Sequence, residues 1–132
     1  MERQRYARAR RFMSALSFLP RFEVRLERLV RRGADAHGRA IFVQKRIDTM
    51  IGVDMALLAG KGRVDHIALV SGDSDYLPAI EAVKREDVLT VLWHGRLGST
   101  VGPSRELFEV CDERRELTPD LLEMASKPRA EP

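Results

Sequence analysis

The fold is decided by the stretch Val64-Asp65-His66-Ile67-Ala68-Leu69-Val70-Ser71-Gly72-Asp73-Ser74-Asp75-Tyr76-Leu77-Pro78. Its short apolar run over residues 67–70 is partly β-branched and predicts a buried strand. After the polar residues that follow, Leu77, Ile80 and Val83 recur at the three-residue steps of an amphipathic helix. Pro78 falls in the first turn of that helix, where a missing N–H costs nothing. The stretch therefore predicts a strand, a tight turn that carries two aspartates, and a helix.

Further short elements, separated by proline and glycine, lie on both sides of this stretch. In chain order we predict a helix over residues 3–19, a half-exposed strand over 22–27, a loop over 31–39, a buried helix over 48–59, the strand over 67–70, a helix that ends near 85, a strand over 88–93, a short amphipathic segment over 104–110 and a helix that opens at Thr118. A strand, a helix and a strand in this order form a βαβ unit, which requires a parallel sheet covered by helices. The predicted fold class is therefore α/β.

The length and composition fit one globular domain. A chain of 132 residues is long enough for a single core, and its 44% hydrophobic and 33% charged residues are typical of a folded protein. No apolar run is long enough to cross a membrane, and the basic N-terminus lacks the apolar core of a signal peptide, so we expect a cytoplasmic protein. The single cysteine, Cys111, excludes an internal disulfide and a cysteine-based zinc cluster. We expect one domain over residues 1–125 and a frayed tail over 126–132.

The net charge of +3 is unevenly distributed along the chain. Residues 1–32 carry ten arginines against three glutamates, whereas residues 33–132 are net acidic. A basic face beside a carboxylate cluster suits an enzyme that holds a polyanion and cuts it with a metal ion. An arginine-rich helix exposed to solvent explains the same charges without any function. The charge pattern leaves both interpretations open.

Four aspartates are candidate ligands for a hard divalent cation. Asp73 and Asp75 follow a strand at its carboxyl end, which is where open α/β sheets bind ligands. Asp48 and Asp54 lie on the buried helix that precedes this strand. Carboxylate oxygens suit Mg²⁺, which at a phosphodiester polarises the phosphoryl oxygen and activates water. Helix capping, turn formation or pairing with an arginine explains each aspartate equally well when it is considered alone.

Three segments of the chain together resemble a known family of nuclease domains. They are Gln44-Lys45-Arg46-Ile47-Asp48, Asp54-Met55 and Leu69-Val70-Ser71-Gly72-Asp73-Ser74-Asp75-Tyr76-Leu77-Pro78. They resemble the NYN domain of the LabA/DUF88 family, a branch of the PIN-like nucleases, over roughly residues 10–117. Tyr76 stands where that family more usually has Phe. The resemblance implies a Rossmann-like (PIN-like) three-layer α/β sandwich with a mainly parallel sheet and a Mg²⁺- or Mn²⁺-dependent ribonuclease site.

The resemblance also implies roles for individual residues. Asp48 and Asp73 match the acidic metal-binding positions best, Asp75 and Asp54 match secondary acidic positions, and Lys45 matches a basic residue that meets a phosphate. The predicted partner is RNA, which the N-terminal arginines would steer. The predicted site residues are Asp48, Asp73 and Asp75 for catalysis, the same three with Asp54 for the metal, and Lys45, Ser71, Ser74, Arg8 and Arg11 for the substrate.

One feature of the family is missing from this sequence. The family opens with a strand that ends in Asp-Gly-x-Asn and supplies a principal ligand, and residues 1–132 contain no such segment. We expect either an N-terminally shortened chain or a member that has lost one ligand. The predicted function is an RNA endonuclease, and the alternative is a catalytically impaired RNA-binding or regulatory module on the same fold. A phosphatase of the haloacid dehalogenase type is disfavoured, and a homodimer is left open.

Overall fold

The computed structural model describes residues 2–26, 30–43 and 46–127. The chain divides into two compact units, Met1–Ile47 and Asp48–Pro132. The first contains a two-stranded sheet and the second a three-stranded sheet.

In the residues that the structure describes, the first unit contains one helix and one hairpin. Helix α1 (Glu2–Ser17) confirms the predicted N-terminal helix. Strands β1 (Val30–Ala34) and β2 (Ala40–Val43) pair in antiparallel fashion. Asp35 organises the turn between them, because its Oδ1 accepts hydrogen bonds from the backbone N–H groups of His37 and Arg39 at 2.9 and 2.8 Å.

Two sequence predictions for this unit are wrong. The strand expected over 22–27 does not form in residues 22–26, which are irregular, because alternation by itself provides no neighbouring strand for pairing. The loop expected over 31–39 instead contains most of β1 and the hairpin turn. Gly33, at φ 109°, lies where the register shifts between Arg31 and Ala34. A glycine that reads as a loop signal thus accommodates an irregularity within a strand.

The second unit is built on a three-stranded parallel sheet. Strands β3 (His66–Val70), β4 (Leu89–His94) and β5 (Glu113–Glu116) are neighbours in chain order. Strands β3 and β4 confirm the sequence prediction and β5 was not predicted. Its four residues, Glu-Arg-Arg-Glu, are all charged and exposed, so they carry no hydrophobic signal.

The helices of the second unit lie where the sequence predicted a helix or an amphipathic segment. They are α2 (Ile47–Gly60), α3 (Leu77–Arg85), α4 (Arg105–Val110) and α5 (Pro119–Ser126), with a 3₁₀ turn over Ser74–Tyr76 before α3. Ser104 and Thr118 cap α4 and α5 through their hydroxyl oxygens. The α/β fold class with a parallel sheet is confirmed. None of the helices in the described residues is long and apolar enough to cross a membrane.

The core of the second unit lies between one face of the sheet and helices α2, α3 and α4. Leu69 of β3 and Leu92 of β4 pack in one cluster with helix side chains. The sequence predicted that α2 is packed into the body of the protein, and this holds for one face only: Met55 and Ala59 are buried, whereas Val53 and Leu57 are exposed. The buried cluster consists of Met55, Ala59, Leu69, Tyr76, Ile80, Val83, Val88, Leu92, Leu107 and Cys111.

An ion-paired network joins the amino-terminal ends of β4 and β5 to α3. Asp112 Oδ2 accepts hydrogen bonds from the N–H and the hydroxyl of Thr90 at 2.8 and 2.7 Å. Asp112 Oδ1 lies 2.9 Å from Lys84 Nζ. The Thr90 hydroxyl, followed by Lys84, lowers the pKa of Asp112 to about 2. Because the strands are parallel, this network lies at the opposite end of the sheet from residues 71–75.

Candidate metal centre

Three aspartates converge at the carboxyl end of β3. One carboxylate oxygen from each of Asp48, Asp73 and Asp75 lies within 4.8 Å of the other two. Asp48 belongs to the first turn of α2, and the other two belong to the turn after β3. All three are exposed, and none forms a salt bridge with any residue that the structure describes. The cluster therefore concentrates negative charge that no described side chain neutralises through a salt bridge.

Hydrogen bonds among its own residues hold the turn in shape. The N–H of Ser71 donates to the carbonyl of Trp93 at 3.2 Å, which anchors the turn to β4. The Ser71 hydroxyl accepts from the N–H of Asp73 at 3.1 Å, and Asp73 Oδ1 accepts from the N–H of Asp75 at 2.9 Å. Asp73 is therefore the residue that caps the 3₁₀ turn. This capping uses one carboxylate oxygen and leaves Oδ2 for another partner.

A close backbone contact sets the position of the turn. The N–H of Ser104 donates to the carbonyl of Gly72 at 2.9 Å. A Cβ atom at Gly72 would lie 2.7 Å from the carbonyl oxygen of Gly102 and 3.3 Å from Cα of Pro103. Both neighbours are backbone atoms, so a larger residue at position 72 must displace the chain. Glycine is required here because two loops meet.

Tyr76 links the two elements that supply the aspartates. Its Oη donates a hydrogen bond to Asp48 Oδ1 at 2.8 Å, and the side chain is buried. Burial, then the hydrogen bond to Asp48 and the charges of the three carboxylates, raise the pKa of Tyr76 to about 12. The hydroxyl thus remains a donor at neutral pH. Sequence reasoning missed this role, because the two residues are 28 positions apart and no local pattern connects them.

The donor set fits a hard divalent cation. Mg²⁺ binds oxygen ligands at about 2.1 Å in octahedral geometry, so adjacent ligands are about 3 Å apart and opposite ones about 4.2 Å apart. Carboxylate oxygens that lie within 4.8 Å of one another are close to this spacing. Carboxylates at that distance repel one another by about 0.9 kcal/mol per pair in water. A bound cation would remove this repulsion.

The remaining predicted site residues lie in different parts of the chain. Asp54 does not belong to the group of three: it follows Asp48 by six residues of α2, which is about 9 Å along the helix axis. Its role as a secondary ligand stays a prediction. The predicted substrate residues lie in three places: Ser71 and Ser74 half-buried in the turn, Arg8 and Arg11 exposed on α1, and Lys45 outside the described residues.

Comparison with known proteins identifies one family. The model of the NYN domain matches residues 3–118, which include the three aspartates and the turn after β3. No curated protein and no solved structure matches the chain.

Proposed function

Since the chain belongs to the NYN domain family, which comprises PIN-like nucleases, we propose that it is a metal-dependent ribonuclease of the LabA/DUF88 branch. Its reaction would be hydrolysis of RNA phosphodiester bonds. One observation carries the proposal: oxygens of Asp48, Asp73 and Asp75 lie within 4.8 Å of one another at the carboxyl end of a parallel strand. Ligand sites of α/β sheets are typically found at this position.

The three aspartates would hold Mg²⁺ or Mn²⁺, with Asp54 as a secondary acidic position. Such an ion, when bound, polarises the phosphoryl group and lowers the pKa of a water ligand. Tyr76 keeps one oxygen of Asp48 in a fixed orientation, and the N–H of Asp75 does the same for Asp73. Because the three side chains are exposed, the remaining positions around the ion are open to water and to a phosphodiester.

Basic and hydroxyl side chains would bind the RNA. Arg8 and Arg11 lie on an exposed, arginine-rich helix and attract a polyanion through its charge. The hydroxyls of Ser71 and Ser74 lie in the same turn as two of the aspartates, where they can contact a phosphate. Lys45 has the same proposed role. Binding that depends on such charges weakens as the salt concentration rises.

A second candidate function is a non-catalytic RNA-binding or regulatory module on the same fold. It is favoured by the exposed, arginine-rich helix α1, which can attract RNA without any metal ion at the aspartates. Metal affinity separates the two candidates. A ribonuclease requires Mn²⁺ binding at the three aspartates, whereas a protein that binds RNA without measurable Mn²⁺ affinity fits the second candidate.

The decisive experiment incubates labelled single-stranded RNA and Mn²⁺ with the wild type, Asp73→Asn and Asp87→Asn. Asparagine at position 73 keeps an oxygen that can cap the turn but removes a charged ligand. Asp87 is exposed, lies outside the cluster and serves as the matched control. We expect cleavage by the wild type and Asp87→Asn and little by Asp73→Asn. Equal cleavage by all three would end the nuclease assignment at this site.

A further inference from the structure

The loop that follows β4, residues 95–104, lies against the acidic turn, and we call it the β4 loop. A Cβ atom at Gly72 would lie 2.7 Å from the carbonyl oxygen of Gly102, and one at Gly102 would lie 2.6 Å from the carbonyl oxygen of Arg96. These two backbone contacts connect Arg96 to Gly72, which directly precedes Asp73 in the sequence. The β4 loop belongs to the same compact unit as the three aspartates, so its position beside them is set within that unit.

Hydrogen bonds within the β4 loop fix the backbone that carries Arg96. The carbonyl of Arg96 accepts from the N–H and from the hydroxyl of Ser99 at 3.2 and 2.6 Å. The carbonyl of Ser99 accepts from the N–H of Gly102 at 3.1 Å. At the start of the loop, Nδ1 of the buried His94 donates to the carbonyl of Gly95 at 2.7 Å. The exposed Arg96 side chain therefore extends from a backbone that is already in place.

Arg96 carries a charge that no described side chain neutralises through a salt bridge. Two basic residues lie in the described segments that follow the three strands of the second unit, which are residues 71–77, 95–105 and 117–120. One of them, Arg105, pairs with Glu109 at 2.7 Å. The other is Arg96, so its charge is available to a ligand at the carboxyl end of the sheet.

The charge balance of the candidate metal centre favours a cation beside it. Three carboxylates and one divalent ion together leave one negative charge at the centre. A phosphodiester also carries one negative charge, so at long range the loaded cluster repels it. One guanidinium beside the cluster brings the total charge to zero and removes this repulsion. Arginine suits this position because its planar fork of N–H groups matches two oxygens of a phosphate.

We propose that Arg96 binds the RNA phosphodiester at the candidate metal centre, where its guanidinium donates hydrogen bonds to the non-bridging oxygens. Arg96 is a substrate-binding residue and not a metal ligand, because a guanidinium has donors and no acceptor. It adds to the proposed substrate residues a basic side chain that belongs to the same unit as all three aspartates. The identity of the substrate rests on the proposed ribonuclease function, whereas the phosphate contact can be measured without cleavage.

The test compares Arg96→Gln and Arg96→Lys with the wild type on a labelled oligouridylate in Mn²⁺. If the wild type cleaves this RNA, single-turnover rates at increasing protein concentration give the half-saturating concentration. If it does not, the RNA stays intact and fluorescence anisotropy gives the dissociation constant. Arg85→Gln is the matched control, because it removes the same charge from an exposed residue that ends α3 at the opposite end of the sheet. Circular dichroism checks that each variant is folded.

Arg96→Gln should weaken RNA binding by about tenfold, which corresponds to about 1.4 kcal/mol. The fall of log affinity with log salt concentration should become less steep by about 0.7, the value for one lost phosphate contact on a single strand. Arg96→Lys keeps the charge without the fork, so its salt dependence should match the wild type and its affinity should fall less. Arg85→Gln should change neither quantity. Mn²⁺ affinity, measured by calorimetry without RNA, should not fall in Arg96→Gln, because the substitution removes a positive charge that repels the ion.

Three results for the variants would overturn the role of Arg96. They are wild-type RNA affinity in Arg96→Gln, an equal loss of affinity in Arg85→Gln, and a loss that is accompanied by weaker Mn²⁺ binding, which would show that Arg96 only supports the shape of the site. A wild type that binds no RNA would overturn this role together with the proposed function. Intact RNA with affinities that follow the expectations would support the phosphate contact and contradict only the proposed hydrolysis. Cleavage by the wild type and equally by Arg96→Gln at every concentration would contradict only the role of Arg96.

Discussion

Replacing Asp73 by asparagine tests the charge balance of the acidic cluster directly. The variant keeps a side-chain oxygen for the N–H of Asp75, which the wild type binds at 2.9 Å, so the turn retains its cap. It removes two of the three repulsive pairs in the cluster. Each pair within 4.8 Å costs about 0.9 kcal/mol in water and about half of that at physiological salt. We expect the metal-free variant to be about 1 kcal/mol more stable than the wild type.

Mn²⁺ should reverse this order. An ion at 100 times its dissociation constant stabilises a protein by about 2.7 kcal/mol, and tenfold weaker binding reduces that gain to about 1.4 kcal/mol. Urea unfolding in EDTA and in Mn²⁺ measures both effects. Asp87→Asn is the control, since residue 87 adopts φ 56°, which asparagine tolerates. A variant less stable than the wild type in EDTA, or one with an undiminished gain in Mn²⁺, would refute the reasoning.

Three further substitutions, with one control, test the contacts around the site and at the opposite end of the sheet. The pKa of Tyr76 is about 12 in the folded protein against 10.0 in the unfolded chain, so the protonated hydroxyl stabilises the fold below pH 10 and this stabilisation is lost as the pH rises towards 12. In Tyr76→Phe, the free energy of unfolding measured in urea should not show that decrease over this pH range. Gly72→Ala should lower the free energy of unfolding by about 1–3 kcal/mol and should weaken Mn²⁺ binding, which calorimetry measures. Gly60→Ala is the control: the added Cβ meets no atom within 4 Å, so neither the stability nor Mn²⁺ binding should fall. Asp112→Asn should lower stability at pH 7 by about 1–2 kcal/mol. The wild type should lose stability between pH 3.8 and about pH 2, because a lowered pKa in the folded state stabilises the protein only above that range. Asp112→Asn should not show this loss, and an unchanged dependence of its stability on pH below 3.8 would contradict the role given to Asp112.

Elements with a local signal were predictable from the sequence. The apolar run of β3, the three-residue period of α3 and the Thr118-Pro119 start of α5 are each encoded within a few residues. Strands β1 and β5 were not predictable in this way. Gly33 suggested a loop in β1, and β5 has no apolar residue, so both depend on backbone pairing with a neighbour that lies elsewhere in the sequence.

The candidate site likewise combines features that local sequence predicts with features that depend on residues far apart in the sequence. The placement of Asp73 and Asp75 at the end of a strand followed from local sequence, and α2 was predicted with Asp48 at its start. What brings Asp48 to the turn is the fold, and the link through Tyr76 emerges only when distant residues are placed together. The network of Asp112, Thr90 and Lys84 escaped prediction for the same reason, because it joins three separate segments.

The hydrogen bond between Tyr76 and Asp48 has a consequence for how the protein would respond to metal. It fixes a carboxylate from one element against the turn of another before any ion is bound. A receptor that is already assembled loses little conformational entropy when its ligand arrives. The occupancy of the site should therefore increase gradually with the Mn²⁺ concentration and should follow a simple saturation curve. Zinc fingers behave differently, because in those proteins the metal drives folding of the chain.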